Sequence, residues 1–251
     1  VERVHYYPEN VLRVRVALIA ADTSPTLRQI REQLNGFKLI ETTEAAGAAQ
    51  ASGYDLLVRE EAGAIVIEAG APTAIAPRVP VTDDNAVSRA VDSITRWAKW
   101  FNLLAIENEG SGLDVKLELK VPDAAARASD RLIDRDVTLT LPEGAAITVQ
   151  VTNGSSERLY FALLDLSTDG SIALVYPVRG AQEFIAPGGT WKATLRTVVP
   201  PGQASIRDIL KVIAIPRTVM RWAFERSGNS ASVKTSGPVG AWSGSEPGRY
   251  R

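Results

Sequence analysis

The chain has 251 residues, 45% hydrophobic and 23% charged, a composition that fits soluble globular structure and leaves room for one large domain or two ordinary ones. With 28 basic and 29 acidic residues the net charge is -1, so the overall balance announces no nucleic-acid or anionic-membrane partner. Zero cysteines exclude disulfides, thiolate metal sites and a cysteine nucleophile within the chain, and the one histidine, His5, leaves almost no scope for His-based triads or multi-His metal sites.

The chain opens at Val1 and holds a single methionine, Met220, which points to a piece of a longer protein. No signal-like start and no run approaching about 18 apolar residues occurs, so no membrane span is expected. Lack of cysteine is compatible with cytosol or periplasm. A soluble, cytoplasmic chain is the expectation.

Leu12 to Leu18 alternates apolar and polar residues like a half-buried strand. Ser24 then reads as a helix N-cap with Pro25 at the first helical position. Leu27, Ile30 and Leu34 recur at helical spacing until Asn35-Gly36 stops the helix. Phe37 to Ile40 reads as a short strand and Glu44 to Ala51 as an alanine-rich turn or short helix. Asp55 to Arg59 and Ala64 to Glu68 flank a Glu-Glu-Ala-Gly turn, which predicts a β-hairpin. Asp83-Asp84-Asn85 opens a long helix whose positions Val87, Val91, Ile94, Ala98, Phe101 and Ala105 step by three and four, widened by Ala90, Trp97 and Leu104. The acidic start suits the helix dipole. Residues 1–108 therefore read as a small α/β domain in which two helices cover one face of a mixed sheet. Glu109-Gly110-Ser111-Gly112 is the boundary after it.

Beyond that boundary the period changes to two. Val115 to Val121 and Ile147 to Thr152 alternate as one-face-buried strands. Leu159 to Leu166 and Ser171 to Tyr176 are joined by a turn containing Asp169-Gly170, a hairpin signal. Thr190 to Val198 and Leu210 to Ile215 add two more strands. The fold class expected is α+β: an N-terminal α/β mixed-sheet unit with two helices, then an antiparallel Ig-like β-sandwich over 109–226, then a Gly/Ser/Pro-rich tail over 227–251.

Candidate sites are few. His5 with Tyr6 and Tyr7 reads as packing rather than a binding surface, Asp83-Asp84 as a helix cap rather than a cation site, and Glu60-Glu61 as a solvated hairpin tip rather than an acid/base pair. Gly154-Ser155-Ser156 lacks the lysine and spacing of a phosphate loop. No cofactor or metal is expected, and no nucleic acid. The one suggestive surface is C-terminal: Arg217, Arg221, Trp222 and Arg226 combine cations with an aromatic ring and read as partner-binding, against the plainer reading of an amphipathic segment packed on its own domain.

The run Val149 to Asn153, Leu159 to Leu166, Asp169-Gly170, Leu174-Val175-Tyr176-Pro177, Ile185-Ala186-Pro187-Gly188 and Pro200-Pro201-Gly202 resembles a small β domain that in bacteria commonly sits C-terminal to caspase-like peptidase domains, the orthocaspase and metacaspase relatives. The resemblance covers about residues 136–226, and more loosely the whole chain. It implies a cysteine endopeptidase as parent, while no position here matches a His-bearing or Cys-bearing catalytic motif. The chain then reads as a non-catalytic accessory, regulatory or target-binding region whose partner is the upstream peptidase domain or a protein target. Such peptidases typically cleave after Arg or Lys, and the chain ends in Arg249-Tyr250-Arg251, so it also reads as a possible processed fragment. Arg127, Arg131 and Arg135 offer an internal nick site, against the plainer reading of a charged inter-strand loop. The alternative is an independent carbohydrate- or cell-envelope-binding sandwich, marked by exposed, coplanar rings at Trp191, Trp222 or Trp242. A Ser-Lys hydrolase is disfavoured by the lack of a Ser-x-x-Lys motif ahead of a helix. Oligomeric state is not legible.

Overall fold

A computed structural model describes residues 13–19, 23–45, 53–69, 75–106, 112–121, 140–177 and 184–216. The protein is α+β, with eleven strands and two helices among these residues. Its contacts divide it into two units: Val1–Asn108 with Leu166–Ala173, and Glu109–Asp165 with Leu174–Arg251.

The first unit holds a five-stranded mixed sheet in the order β2-β1-β3-β4-β5, formed by β1 Val14–Ile19, β2 Ile40–Ala45, β3 Leu56–Glu61, β4 Ala64–Ala69 and β5 Val79–Pro80. β1 runs parallel to β2 and β3, whereas β3, β4 and β5 pair antiparallel. Helix α1, Pro25–Leu34, makes the crossover between β1 and β2. It starts where Ser24 and Pro25 predict. The Ser24 hydroxyl accepts the Leu27 N–H at 3.1 Å and donates to the Glu60 carboxylate at 2.7 Å, so one buried side chain caps the helix and ties it to the sheet. Leu27, Ile30 and Leu34 are the buried stripe.

The strand after α1 differs from the expectation. Phe37 and Leu39 are exposed, and the strand runs over Ile40–Ala45, so Glu44 and Ala45 are extended rather than the start of a turn or helix. β2 is an edge strand, which can be as polar as Ile-Glu-Thr-Thr-Glu-Ala without burying charge.

Helix α2, Ala86–Ala105, packs against α1 and against β1, β4 and β5. Ala86, Ala90, Val91, Ile94, Trp97, Ala98 and Trp100 are its buried face, with Trp97, Trp100 and Phe101 in mutual ring contact. The expected acidic cap takes another form. The helix begins at Ala86 with no carboxylate in its first turn. Asp83 lies ahead of it, accepting the Asn85 N–H at 2.9 Å and pairing with Arg89.

The second unit carries two three-stranded sheets, β10-β7-β6 and β11-β8-β9. The strands are β6 Val115–Lys120, β7 Ala146–Asn153, β8 Leu159–Ser167, β9 Ile172–Tyr176, β10 Thr190–Arg196 and β11 Asp208–Pro216. The first sheet is antiparallel throughout. One core draws on both sheets: Val149, Val151 and Leu195 from one, Phe161, Leu163, Val175 and Tyr176 from the other, with Ile185 beside them. Burying alternate residues on each strand is what the period of two encodes.

No helix among the described residues is long and apolar enough to cross a membrane.

Candidate functional site

The second unit opens into a cleft of about 170 Å³ lined by Phe161, Tyr176, Phe184, Ile185, Gly189 and Trp191, among others. Phe161 comes from β8, Tyr176 from the end of β9 and Trp191 from β10. Their rings make one cluster. Phe161 and Tyr176 stack with centroids 4.5 Å apart and planes 15° apart, while Trp191 meets Phe161 at 5.3 Å and 67° and Tyr176 at 4.9 Å and 52°. Phe184 forms the outer wall. It is 42% exposed, with the Arg158 guanidinium 4.6 Å above its ring and Tyr160 edge-on to it.

A buried amide and a short backbone bridge hold this wall in place. Asn153, at the end of β7, is fully buried. Its amide N–H groups donate to the Glu157 carbonyl at 2.7 Å and the Ile185 carbonyl at 3.0 Å, and its side-chain oxygen accepts the Ser155 N–H at 2.9 Å. Its backbone donates to the Gly189 carbonyl and accepts from Gly188. Leu159 and Ile185 exchange two further backbone bonds. Between these anchors Ala186-Pro187-Gly188-Gly189 turns tightly: Gly188 has φ +71°, and the Gly189 N–H donates to the Ala186 carbonyl at 2.8 Å. Pro at the second and Gly at the third position are what that turn requires. A Cβ on Gly189 would sit 2.9 Å from the same carbonyl.

Among the described residues the lining carries a phenol, an indole and the Thr190 hydroxyl, and no carboxylate, ammonium or imidazole. Phe161 and Tyr176 are themselves buried core residues, so the cleft is an opening at the edge of that core. It is smaller than the roughly 300–1,000 Å³ of typical small-molecule sites.

The residues singled out from sequence fall elsewhere. Arg217, Arg221, Trp222 and Arg226 lie outside the described residues, as do His5, Tyr6, Tyr7, Arg127, Arg131, Arg135 and Trp242. Trp191 is half-buried and inclined to its aromatic neighbours, so it offers no coplanar platform. Glu60 is exposed and Glu61 part-exposed at the end of β3 beside the Ala62-Gly63 turn, and both carboxylates are hydrogen-bonded. Glu60 receives the Ser24 hydroxyl, and Glu61 joins a chain of ion pairs from Arg78 through Glu61 and Arg59 to the buried Glu68, each 2.8–2.9 Å. Hydrogen bonding to Glu68, then to Glu61, pushes the Arg59 guanidinium above its ordinary value, and the Arg59 bond holds the Glu61 carboxyl below its own. Asp83 is likewise lowered, chiefly by the Asn85 N–H and then by Arg89. Gly154-Ser155 is a structural turn: the Gly154 N–H donates to the Asp114 carbonyl at 2.8 Å, and a Cβ there would collide with the Asp114 carboxylate. Among the described residues no three His, Cys, Asp or Glu side chains gather to hold a metal.

No family model, curated protein or solved structure matches this chain.

Proposed function

We propose that this chain is a non-catalytic accessory region of a bacterial caspase-like cysteine peptidase, with its second unit an Ig-like β-sandwich that docks on the upstream peptidase domain. The observation that carries the docking role is the aromatic cleft, walled by the part-exposed Phe184 and lined, among the described residues, without any acid, base or nucleophile pair. Such a recess binds by excluding water from one apolar side chain of the partner, the anchor-in-pocket arrangement that dominates many interfaces. The association with a peptidase rests on the sequence resemblance of residues 136–226.

The experiment is to mix the chain with the separately produced upstream part of its parent and follow association by light scattering and cleavage of an Arg-containing reporter peptide. Association through an interface of about 1,600 Å² with altered cleavage is expected. Phe184→Ala, at an exposed rim position, should weaken association about tenfold or more, as loss of an interface anchor does. No association, or a Phe184→Ala variant that associates like the unaltered chain, sinks this reading.

A further inference from the structure

The outward face of sheet β10-β7-β6 carries a charge pattern that the core and the cleft do not use. The register places Lys116, Thr152 and Thr190 in one row across the sheet, Glu118, Gln150 and Lys192 in the next, Lys120, Thr148 and Thr194 in the third, and Ala146 beside Arg196 in the fourth. All point away from Val149, Val151 and Leu195, whose strand positions alternate with theirs. The cations therefore alternate between the two edge strands: Lys116, then Lys192, then Lys120, then Arg196. Rows on one face are about 6.8 Å apart and neighbouring strands about 4.8 Å. The result is a staggered basic track about 20 Å long flanking a strip of Thr152, Gln150 and Thr148.

Four cations face one anion here. Glu118 accepts a hydrogen bond from Gln150 at 2.8 Å, and Gln150 also reaches Thr152, whose hydroxyl lies 3.3 Å from that of Thr190. Arg196 bonds the Gly144 carbonyl at 3.2 Å. Lys116, Lys120 and Lys192 are exposed and have no ion-pair partner among the described residues. A chain with net charge -1 thus concentrates unbalanced positive charge on one β face.

We propose that this face binds a linear acidic polysaccharide, its carboxylates on the lysine track and its hydroxyls on the central threonine and glutamine strip. Charge complementarity calls for a polyanion, and the rest of the face chooses among polyanions. Among the described residues it presents no aromatic ring, so the stacking that single-stranded nucleic acids depend on is missing. Its threonine hydroxyls both donate and accept, as sugar hydroxyls do, and the glutamine side-chain oxygen adds an acceptor, its two amide hydrogens being directed to Glu118 and Thr152. An acidic peptide offers carboxylates but no run of hydroxyls to match. This surface is separate from the aromatic cleft, so the inference stands whether or not the cleft takes a peptidase side chain.

The test is affinity electrophoresis of the full chain through gels containing polygalacturonate, neutral dextran, poly-glutamate or oligothymidylate, the polyanions matched in charge. Retardation by polygalacturonate that is abolished in 0.5 M salt is expected, with none by dextran. Lys116→Gln, Lys120→Gln and Lys192→Gln combined should weaken it at least tenfold, with circular dichroism unchanged. Thr148→Val should weaken polygalacturonate binding severalfold while leaving residual poly-glutamate binding unmoved, which separates sugar recognition from charge alone. Phe184→Ala should bind polygalacturonate normally. The proposal is overturned by no retardation, by the triple variant binding as the unaltered chain does, or by poly-glutamate or oligothymidylate binding as tightly as polygalacturonate.

Discussion

The two units solve the same problem, polar groups inside a sheet protein, with different chemistry. In the first, the side chain brought inside is a charge: Glu68 on β4 is 6% exposed and paired with Arg59, which also bonds Glu61. In the second it is a neutral amide, Asn153, whose three side-chain hydrogen bonds stitch two loops to a strand end. A buried charge is held by Coulomb attraction against a desolvation cost. A buried amide costs less to desolvate, but it tolerates no substitute that leaves its partners unpaired.

Asn153→Ala tests the amide side of that contrast and has the largest expected effect. It removes three hydrogen bonds at a fully buried side chain, to the Glu157 carbonyl, to the Ile185 carbonyl, which keeps the Leu159 N–H, and from the Ser155 N–H, which predicts a loss of about 2–3 kcal/mol. Urea unfolding monitored by tryptophan fluorescence measures it, and a loss under about 1 kcal/mol would mean that water replaces the amide without cost. Because Asn153 also sets the Phe184 wall, the variant should lose partner association even under conditions where it remains folded.

Glu68→Leu tests the charged side. Removing one partner of a buried pair costs several kcal/mol in general, but Arg59 is part-exposed and keeps Glu61, so about 2 kcal/mol is expected from the urea midpoint. The double variant Arg59→Leu with Glu68→Leu should recover most of that, because apolar residues of similar volume replace such pairs well. A double variant less stable than Glu68→Leu alone would show that the arginine stabilises through its remaining bond to Glu61 more than its desolvation costs.

The pH response sharpens the comparison further. Glu61 and Asp83, both in the first unit, have carboxyls held below their ordinary values of 4.5 and 3.8 by Arg59 and by the Asn85 N–H respectively. A lowered folded value means that the unfolded chain binds more protons in this range, so stability rises with pH. The contribution is complete above the ordinary values and is lost as pH falls through the lowered ones. Denaturation midpoints at successive pH values should therefore fall on the acid side, and Glu61→Gln and Asp83→Asn should each flatten that fall. Unchanged acid curves for both variants would place the dependence in other carboxylates.

How far the sequence discloses these features depends on whether a feature is local. α1 is legible because its cap, its proline and its apolar stripe lie within eleven residues, Ser24 to Leu34. The six strands of the second unit are legible because alternation is a property of neighbours. β2 is misplaced by a few residues because an edge strand rich in Glu and Thr carries little hydrophobic signal. The cleft is harder to read. Phe161, Tyr176 and Trp191 are visible as strand residues, but their stacking follows from which strands pair. Asn153 is an ordinary strand-end asparagine until the Ile185 loop returns to it. The lysine track needs the register of three strands, and a one-residue slip would turn those lysines into the core. The C-terminal cluster around Trp222, the site composition most suggests, lies outside the described residues.

The smallest expected effect concerns the turns. In the second unit Gly112, Gly144, Gly188 and Gly202 occupy positive φ, where a glycine has no Cβ to clash. The first unit departs from this at one residue. Ala62, in the two-residue turn between β3 and β4, has φ +50° and is followed by Gly63 at +71°, the pattern of a type I′ hairpin turn. Alanine pays about 1 kcal/mol in the left-handed region, whereas asparagine adopts it readily and Asn-Gly is the preferred pair for this turn. Ala62→Asn should therefore stabilise the chain by about 0.5–1 kcal/mol, read as a rise in urea midpoint at unchanged slope. Ala62→Val, β-branched and unsuited to positive φ, should move the midpoint the other way. If both variants destabilise, the turn is not type I′ in solution.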